Sequence, residues 1–357
     1  MPMTAKATSL AGVLDSLTAE GAPELTEHMA GNTLRCYACG HRCLINEGKR
    51  GICKVRYNEG GHLMVPKNYV AALACDPTEK KPFFHALPGS DTLTFGMLGC
   101  DLHCAYCQNF LTSQTLRDDA AGVAPSVVTS DRLVAMAKAY GAAMVGTSYN
   151  EPLITAEWAI EVFKKAKPAG FRTAFISNGN ATPQVLDYIR PWTDCYKIDL
   201  KSMSDRNYRQ LGGVVDNILE TVKMVHERGF WEEIVTLVIP GFNDSDDELK
   251  RAAAFIASIS PDIPWHVTAF HQDYKMTENA NTTAEQLIHA CEIGRAAGLR
   301  YVYAGNLPGR VGRWENTYCP TCDELLVERY GYHIRQMKVT RAGECPKCAT
   351  LIPGIWG

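Results

Sequence analysis

The distribution of cysteine is the feature of this sequence that most limits what the chain can fold into. Eleven of the fourteen cysteines fall into three groups, with four in 36–53, three in 100–107 and four in 319–348. The start of the sequence lacks a basic segment followed by an apolar stretch, so no secretory signal is predicted and a cytoplasmic location is expected. In a reducing compartment, closely spaced cysteines indicate metal or cluster ligation and not disulfides. We therefore expect three metal sites.

Composition and charge narrow the class of protein further. The chain has 357 residues, of which 46% are hydrophobic and 21% charged, as in a soluble globular protein with one large α/β domain or two domains. Its apolar runs are shorter than the roughly 18–20 residues that a membrane span needs. The net charge of −3 argues against a bulk electrostatic attraction to nucleic acid, and a local basic patch remains compatible with it.

From about residue 92 the patterns of strand and helix alternate. Short apolar segments rich in β-branched and aromatic residues are typical of buried parallel strands. Ser245 with Glu248, and Thr282 with Glu285, are predicted capping boxes that begin two of the intervening helices. Seven strands are predicted, at 92–98, 143–149, 172–177, 194–200, 233–239, 265–270 and 300–304.

Repeated βα units imply a parallel sheet, most simply a partial or distorted (β/α) barrel. In such barrels the chemistry gathers at the carboxyl ends of the strands. We predict a helical lead-in at 1–30, a Cys-rich module at 31–62, the partial barrel at 63–312 and a separate C-terminal metal module at 313–357.

The central cysteine group has the spacing CxxxCxxC and directly follows the first predicted strand. Three thiolates, from Cys100, Cys104 and Cys107, can hold three irons of a cubane [4Fe-4S] cluster and leave the fourth iron open to a cofactor or substrate. A structural zinc loop is the alternative. Zinc sites prefer four ligands, and a fourth cysteine is not near in the sequence.

Polar residues follow the next strands at the points where those strands end. Because the carboxyl ends of parallel strands meet at one edge, these side chains are expected to surround one cavity. They are Glu151 after the second strand, Ser177 and Asn178 at the third, Asp199 and Lys201 at the fourth, and His266 and His271 on either side of the end of the sixth.

The central loop, with Tyr106 just before its last cysteine, resembles that of the radical S-adenosylmethionine (SAM) superfamily. The resemblance implies that the open iron binds the amino and carboxylate groups of SAM. One electron then cleaves a carbon–sulfur bond, giving methionine and a 5′-deoxyadenosyl radical that abstracts hydrogen. The residues 147–152 resemble the motif that accepts hydrogen bonds from the cofactor's amino group. Tyr106 and the seven polar residues at the strand ends are thus the candidate cofactor-binding residues.

A closer resemblance rests on motifs along nearly the whole chain, from about residue 36 to 356. The motifs at 79–85, 147–152, 197–201, 264–271 and 305–306, with the final CPxC module, are similar to the radical SAM protein of the AmmeMemoRadiSam system. That group is similar to pyruvate formate-lyase activating enzymes. The resemblance implies an electron donor such as flavodoxin or ferredoxin, and a protein substrate.

One position departs from the activating-enzyme pattern. Glycyl radical activators usually carry an Asp two residues before the Asn of the third-strand motif, associated with a cation beside the cofactor. Here that position is Ile176.

The N-terminal group, Cys36, Cys39, Cys43 and Cys53, places four thiolates within eighteen residues. This set fits either a second [4Fe-4S] cluster or Zn. His41, between two of the cysteines, is an alternative ligand.

The C-terminal group consists of two CxxC knuckles, typical of a zinc-ribbon or rubredoxin-like module. Four thiolates at one tetrahedral site favour Zn or a single Fe, and a closed shell of ligands predicts a structural role. The ligands are Cys319, Cys322, Cys345 and Cys348.

Taken together, these patterns predict an oxidoreductase that reductively cleaves SAM and abstracts hydrogen from an unidentified substrate. One alternative is an activase that installs a glycyl radical on a partner protein. Another is a non-catalytic iron–sulfur electron-transfer or binding protein. Glu151, Asn178 and Lys201 favour catalysis, because an electron carrier needs no ligands for a cofactor amine.

Overall fold

The computed structural model describes residues 9–357. The elements of the N-terminal part are α1 (Leu10–Asp15), β1 (Thr18–Glu20), β2 (Thr26–His28), β3 (Leu34–Cys36), β4 (Leu44–Ile45), β5 (Tyr57–Glu59) and β6 (His62–Pro66). The strands form two small antiparallel sheets, with the orders β1-β6-β5 and β2-β3-β4.

These strands change the prediction for the N-terminal part. A helical lead-in was expected at 1–30. Within the described part of that range, α1 is an α-helix, but β1 and β2 are strands. Residues 1–8 of the predicted lead-in lie outside the described residues. The sheet containing β1 and β6 joins residues 18–20 to residues 57–66, so it crosses the predicted boundaries after residues 30 and 62.

The central domain is built on an eight-stranded sheet of order β16-β15-β14-β13-β12-β11-β9-β8. Seven of these strands run parallel, and β8 pairs antiparallel with β9 at one edge. The strands of this region are β7 (Tyr69–Val70), β8 (Ala72–Pro77), β9 (Asp91–Gly96), β10 (Ser126–Val127), β11 (Met144–Thr147), β12 (Arg172–Ser177), β13 (Cys195–Asp199), β14 (Trp231–Val238), β15 (Trp265–Ala269) and β16 (Val302–Gly305).

The sheet has two edges, at β8 and β16, and it confirms the predicted partial (β/α) barrel. All seven predicted strands are present within a few residues of their expected bounds. The prediction missed β8, a half-buried edge strand in which Cys75 pairs with Leu93 of β9.

The helices pack their apolar faces against the sheet. In α4, for example, Trp158, Val162 and Phe163 are almost completely buried. The helices are α2 (Phe110–Ser113), α3 (Ser130–Ala139), α4 (Ala156–Ala166), α5 (Pro183–Ile189), α6 (Asp205–Leu211), α7 (Val215–Glu227), α8 (Asp246–Ile259) and α9 (Ala284–Ala296). Short 3-10 turns lie at Pro23–Leu25, Ala30–Asn32, Thr78–Lys80, Pro152–Thr155, Lys167–Ala169, Arg190–Trp192 and Gly312–Glu315.

The two predicted capping boxes differ from the structure in detail. Ser245 caps α8 by accepting a hydrogen bond from the Glu248 amide, but the Glu248 carboxylate turns instead to Ser202. The cap of α9 is Thr283, one residue later than predicted. The Thr282 hydroxyl donates a hydrogen bond to the carbonyl of Val238, at the end of β14, and does not cap α9.

The C-terminal module is a three-stranded antiparallel sheet that packs on the barrel. Its strands are β17 (Thr317–Tyr318), β18 (Leu325–Tyr330) and β19 (His333–Met337). Leu326 and Val327 share one buried cluster with Phe84, Tyr301 and Tyr303 of the central domain. The module is thus tied to the barrel by a common core.

The segment between β8 and β9 fills the inside of the barrel. Phe83 is fully buried in a cluster with Met144 and Ala174 of neighbouring strands. His85 lies 2.7 Å from the carbonyl oxygen of Pro353 and 2.6 Å from the hydroxyl of Tyr303. This segment therefore joins the barrel floor to the C-terminal tail.

None of the helices within residues 9–357 has the length and apolar character needed to cross a membrane.

A buried ion pair joins the N-terminal sheets to the barrel. Arg56, 1% exposed, donates to both carboxylate oxygens of Glu157 at 2.7 Å. Replacing Arg56 with Met leaves the largely buried Glu157 carboxylate, 12% exposed, without its cationic partner, so we expect the free energy of unfolding to fall by about 3 kcal/mol. Chemical denaturation measures this. The matched control, Arg209→Met, removes an exposed pair with Asp205 and should change stability by less than about 1 kcal/mol; equal losses in the two variants would contradict the prediction.

Candidate functional site

The three central cysteines lie on a loop that follows β9 at the carboxyl edge of the sheet. The loop begins at Gly99, whose φ is +92° and whose added Cβ would lie 2.9 Å from the carbonyl oxygen of Cys53. Only glycine meets both conditions without strain. The loop then packs Leu102 and Tyr106 into an apolar cluster with Phe270.

The surroundings of the three thiols fit a bound cluster. The Leu102 amide donates to the Cys100 sulfur at 3.4 Å, and the Ser113 hydroxyl lies 3.1 Å from the Cys107 sulfur. Burial raises the pKa of Cys104 to about 11, so a thiolate there depends on a neighbouring positive charge. A bound metal supplies such a charge.

Two of these cysteines, Cys104 and Cys107, border a cavity of about 800 Å³. Cys104, Tyr106 and Cys107 form one wall of this cavity, which we call the central cavity. A cluster held by three thiolates keeps one iron without a protein ligand, and this cavity has the room for a cofactor on that side.

A row of alternating charges forms a second wall of the central cavity. Lys197 and Asp199 point the same way because they are two residues apart on β13, and Lys201 follows the strand. The ammonium groups of both lysines contact the Asp199 carboxylate. Burial alone would raise the pKa of Asp199, but the two lysine charges outweigh it and hold the pKa at about 2. The row keeps one net positive charge and can bind an anionic group.

Lys197 was not among the predicted site residues. It is 5% exposed and lies in the middle of a strand between Tyr196 and Ile198, which are fully buried. A lysine inside an otherwise apolar strand was the signal in the sequence, because a buried charge needs a partner.

Glu151, Ser177 and Asn178 come together behind the cavity lining. The Glu151 carboxylate accepts hydrogen bonds from the Leu153 amide at 3.0 Å, the Ser177 hydroxyl at 2.8 Å and the Asn178 amide at 2.7 Å. Burial, and then the charge of Asp101, raise the pKa of Glu151 to about 8. Glu151 thus joins the ends of β11 and β12, and its predicted contact with a cofactor stays a prediction.

Asp101 is a site residue that the sequence reasoning missed. Its carboxylate is fully buried and accepts hydrogen bonds from the side-chain amides of Asn178 at 2.7 Å and Asn180 at 2.8 Å. The Asn178 amide also lies 3.9 Å from the Cys100 sulfur. Asp101 therefore holds the cysteine loop against the end of β12. The sequence feature that could have indicated this role is the position of Asp101 directly after the ligand Cys100.

The two predicted histidines both reach the central cavity. His266 is 2% exposed, and its Nε2 lies 2.7 Å from a carboxylate oxygen of Glu233. His271 is exposed, and its Nε2 lies 2.9 Å from the Nε2 of Gln108. A role for either histidine in binding remains a prediction.

Ile176 also lines the central cavity. Its δ-carbon would come within 3.2 Å of a Cβ added to Gly146, so the small residue on β11 makes room for it. The position at which activators usually carry an Asp is therefore occupied here by an apolar side chain that faces the cavity.

The outer wall of the central cavity comes from the C-terminal module, which the sequence reasoning treated as remote. The turn between β18 and β19 contributes Tyr330, Gly331, Tyr332 and His333 to the lining. The Glu315 carboxylate accepts a hydrogen bond from the Gly331 amide at 2.9 Å and fixes this turn. We call residues 330–333 the cavity hairpin.

The four C-terminal cysteines form a compact site that could hold a metal ion. Their sulfur atoms all lie within 4.8 Å of one another, with 3.5 Å between Cys319 and Cys348 and 3.7 Å between Cys322 and Cys345. Around a single zinc ion, zinc–sulfur bonds of about 2.3 Å place the sulfurs of a tetrahedron about 3.8 Å apart. The predicted metal-ribbon arrangement is therefore confirmed.

The four N-terminal cysteines also converge, around the hairpin formed by β3 and β4. The Cys36 amide donates to the Cys43 carbonyl at 3.0 Å, and Cys39 lies in the turn between them. The Ile52 amide, next to Cys53, lies 3.5 Å from the Cys43 sulfur. His41 points away from this group, with its Nε2 3.1 Å from the carbonyl oxygen of Asp101.

Comparison with known proteins gives the class. Residues 95–256 match the model of the radical SAM superfamily. The chain is 34% identical over 329 residues to an uncharacterised protein of Methanocaldococcus jannaschii, covering 91% of this chain and 97% of that protein. It is 28% identical over 205 residues to the pyruvate formate-lyase 1-activating enzyme of Escherichia coli, covering 54% of this chain and 80% of that protein.

Solved structures also resemble the chain. A domain of a pyruvate formate-lyase activating enzyme from Bacteroides vulgatus has a TM-score of 0.41 at 23% identity, covering 46% of this chain and 99% of that one. A radical SAM methyltransferase from Sphaerobacter thermophilus has a TM-score of 0.47 at 15% identity, covering 67% and 71%. With both scores below 0.5, the fold assignment rests on the sheet itself.

The half-open parallel barrel and the three-cysteine loop at its carboxyl edge define a radical SAM protein. The chain belongs to the radical SAM superfamily and is similar to pyruvate formate-lyase activating enzymes. Members of this family are enzymes, and the family implies a [4Fe-4S] cluster and SAM.

Proposed function

We propose that this protein is an oxidoreductase that cleaves SAM reductively and abstracts hydrogen from a substrate. The observation that carries the proposal is that Cys104 and Cys107 line a cavity of about 800 Å³ that is also lined by Lys197, Asp199 and Lys201. When bound, the cluster and SAM supply the electron and the 5′-deoxyadenosyl radical.

The protein's own residues orient and shield these groups. Cys100, Cys104 and Cys107 would hold the cluster, and Asp101 with Asn178 fixes their loop. The row of two lysines and Asp199 would bind the anionic part of the cofactor. The apolar side chains around the loop exclude water and oxygen from the cluster.

A protein substrate is supported by the mouth of the central cavity. Tyr330 and Tyr332 of the cavity hairpin are 47% and 39% exposed beside this mouth, and exposed tyrosines are enriched where proteins bind one another. The similarity to activating enzymes supports the alternative of an activase that installs a glycyl radical on a partner protein. Ile176 in the cavity sets this chain apart from the usual activators and keeps a compact metabolite as the second candidate.

The proposal includes a one-electron donor such as flavodoxin or ferredoxin and a reducing compartment such as the cytoplasm. The reducing compartment is supported by the fourteen cysteines, none of which forms a disulfide within the described residues.

The proposal is tested with protein reconstituted with iron and sulfide without oxygen. We expect the reduced protein to give a [4Fe-4S] electron paramagnetic resonance signal that changes on addition of SAM, with formation of 5′-deoxyadenosine and methionine. A signal indifferent to SAM, without either product, would reject SAM cleavage.

The substrate class is tested by adding cell extract separated by size. We expect a protein fraction to stimulate 5′-deoxyadenosine formation, and a glycine-centred radical in that fraction would identify an activase. Stimulation by the small-molecule fraction alone would reject the protein substrate.

A further inference from the structure

The N-terminal cysteines form a site of a different size from the C-terminal one. Within residues 9–357, the C-terminal four are the only group of three or more such ligands whose atoms all lie within 4.8 Å of one another. Neither the four sulfurs of Cys36, Cys39, Cys43 and Cys53 nor any three of them meet this limit. The cluster cysteines Cys100, Cys104 and Cys107 are likewise outside this limit.

Wider spacing is what an iron–sulfur cluster requires. Around one metal ion all the sulfurs are bound to the same atom, so they come within about 4 Å of one another. In a cubane each thiolate binds its own iron at a separate corner, so the sulfurs are held further apart. Three of the four N-terminal cysteines are less than 8% exposed, and Cys43 is half-buried at the outer side. Most of the N-terminal site is thus shielded from solvent, and Cys43 is its most exposed cysteine.

This site touches the loop that holds the catalytic cysteines. The His41 ring, two residues after Cys39, lies 3.1 Å from the carbonyl oxygen of Asp101, the neighbour of Cys100. The Gly40 amide donates to the carbonyl of Asn180 at 2.7 Å.

Further contacts join the two cysteine loops near Cys53, at the other end of the N-terminal site. The Cys53 carbonyl packs so closely on Gly99 that a Cβ added there would lie 2.9 Å from it. Arg117 donates to the carbonyls of Ile52 and Leu102, each at 2.6 Å, and so bridges the two loops. The two cysteine-bearing loops therefore contact each other at both ends through residues within two positions of a cysteine.

The outer side of the N-terminal site is apolar and basic. Leu44 and Ile52, the neighbours of Cys43 in space, are 58% and 44% exposed. Arg42 and Lys54 are exposed beside them and make no ion pair among the described residues. Residues 31–62 carry six Lys and Arg against two Asp and Glu. Arg35, Arg50 and Arg56 pair with acids outside this range, which leaves Arg42, Lys49 and Lys54 as the exposed cations without an ion pair among the described residues.

The geometry points to a second iron–sulfur cluster on Cys36, Cys39, Cys43 and Cys53 that receives electrons from an acidic carrier protein and passes them to the catalytic cluster. This rests on the proposed function. One electron leaves the reduced carrier, reduces the second cluster, and then reaches the cluster on the central loop, which returns the second cluster to its oxidised state. One electron is used for each SAM cleaved. The basic, partly apolar surface around Cys43 is the docking surface for the carrier, since opposite charges steer such encounters.

The cluster is tested by metal analysis of the reconstituted full chain. We expect Cys36→Ser/Cys39→Ser to contain about four fewer irons than the unmodified protein, since a cubane holds four. The reduced unmodified protein should show the magnetic interaction of two neighbouring clusters, and the variant one isolated signal that still responds to SAM. A variant that loses about one zinc and no iron would overturn the assignment.

The electron path is tested by stopped-flow reduction without oxygen, with reduced flavodoxin as the acidic carrier and dithionite as the small reductant. We expect Arg42→Glu/Lys54→Glu, which changes only exposed side chains, to slow reduction by flavodoxin at least tenfold and to leave reduction by dithionite unchanged. The control Arg132→Glu/Lys138→Glu makes the same charge change on the exposed side of α3.

The outcomes separate this inference from the proposed function. Equal rates for the two charge-reversed variants would reject the docking surface and the path through it. Unmodified protein that is reduced by flavodoxin but forms no 5′-deoxyadenosine even with dithionite would reject SAM cleavage and leave the second cluster and its path in place.

Discussion

Replacing Cys104 with alanine is expected to abolish the reductive cleavage of SAM. Cys104 is one of the three thiols that can hold the catalytic cluster, and it lies at the wall of the central cavity. Two thiolates cannot keep a cubane whose fourth iron is already without a protein ligand. We expect 5′-deoxyadenosine formation with dithionite to fall at least about a thousandfold, equivalent to about 4 kcal/mol of activation free energy.

The control for this variant is Cys75→Ala. Cys75 is a half-buried thiol of β8 that belongs to none of the three cysteine groups. Its removal should leave product formation within about twofold of the unmodified protein, because it changes neither the cavity nor the loop. Retained SAM cleavage in folded Cys104→Ala protein would refute the assignment of the cluster ligands.

The parallel strands were predictable because they are buried on both faces. β11 and β15 are short strands buried along their whole length, and such strands in regular alternation with helices leave few other folds. The ends of the strands were predicted less accurately: a strand was predicted at 143–149, and β11 spans Met144–Thr147. The Ser148 amide still donates to the Phe95 carbonyl, and the chain leaves the ladder at Tyr149, which adopts a φ of +69° where the chain turns toward Glu151.

Metal-binding residues were predictable where the ligands are close in sequence. The CxxC knuckles and the CxxxCxxC loop carry their geometry in local spacing, so Cys345 with Cys348, for example, could be assigned without a fold. Contacts between segments that are distant in sequence have no comparable local spacing from which they could be predicted. The approach of Gly331 to the central cavity depends on its hydrogen bond to Glu315 and on the shared core around Phe84.

The polar residues at the strand ends were all expected around one cavity. Asp199, Lys201, His266 and His271 line the central cavity, whereas Glu151, Ser177 and Asn178 lie behind its lining. The alternation along β13 separates Lys197 and Asp199 from Ile198, and this could have placed Lys197 in the site. The position of Glu151 behind the lining was not predictable, because it depends on three hydrogen-bond donors from two different strand ends.

Replacing Cys345 with serine is expected to destabilise the C-terminal module strongly. Cys345 is 1% exposed, and its sulfur lies 3.7 Å from that of Cys322 in the four-cysteine site. The sheet from β17 to β19 is small, so metal binding contributes a large part of its folding free energy. We expect the variant to lose its C-terminal metal and the free energy of unfolding of this module to fall by roughly 3 kcal/mol or more.

A chelator provides the matched measurement for this last variant. In thermal unfolding of the full chain, chelator should lower the stability of the unmodified protein to that of Cys345→Ser and have no further effect on the variant. Because the cavity hairpin belongs to the same module, the variant should also bind SAM more weakly while its central [4Fe-4S] signal is kept. Unmodified protein whose unfolding and metal content do not respond to chelator, and match those of Cys345→Ser, would show that the four thiols hold no structural metal.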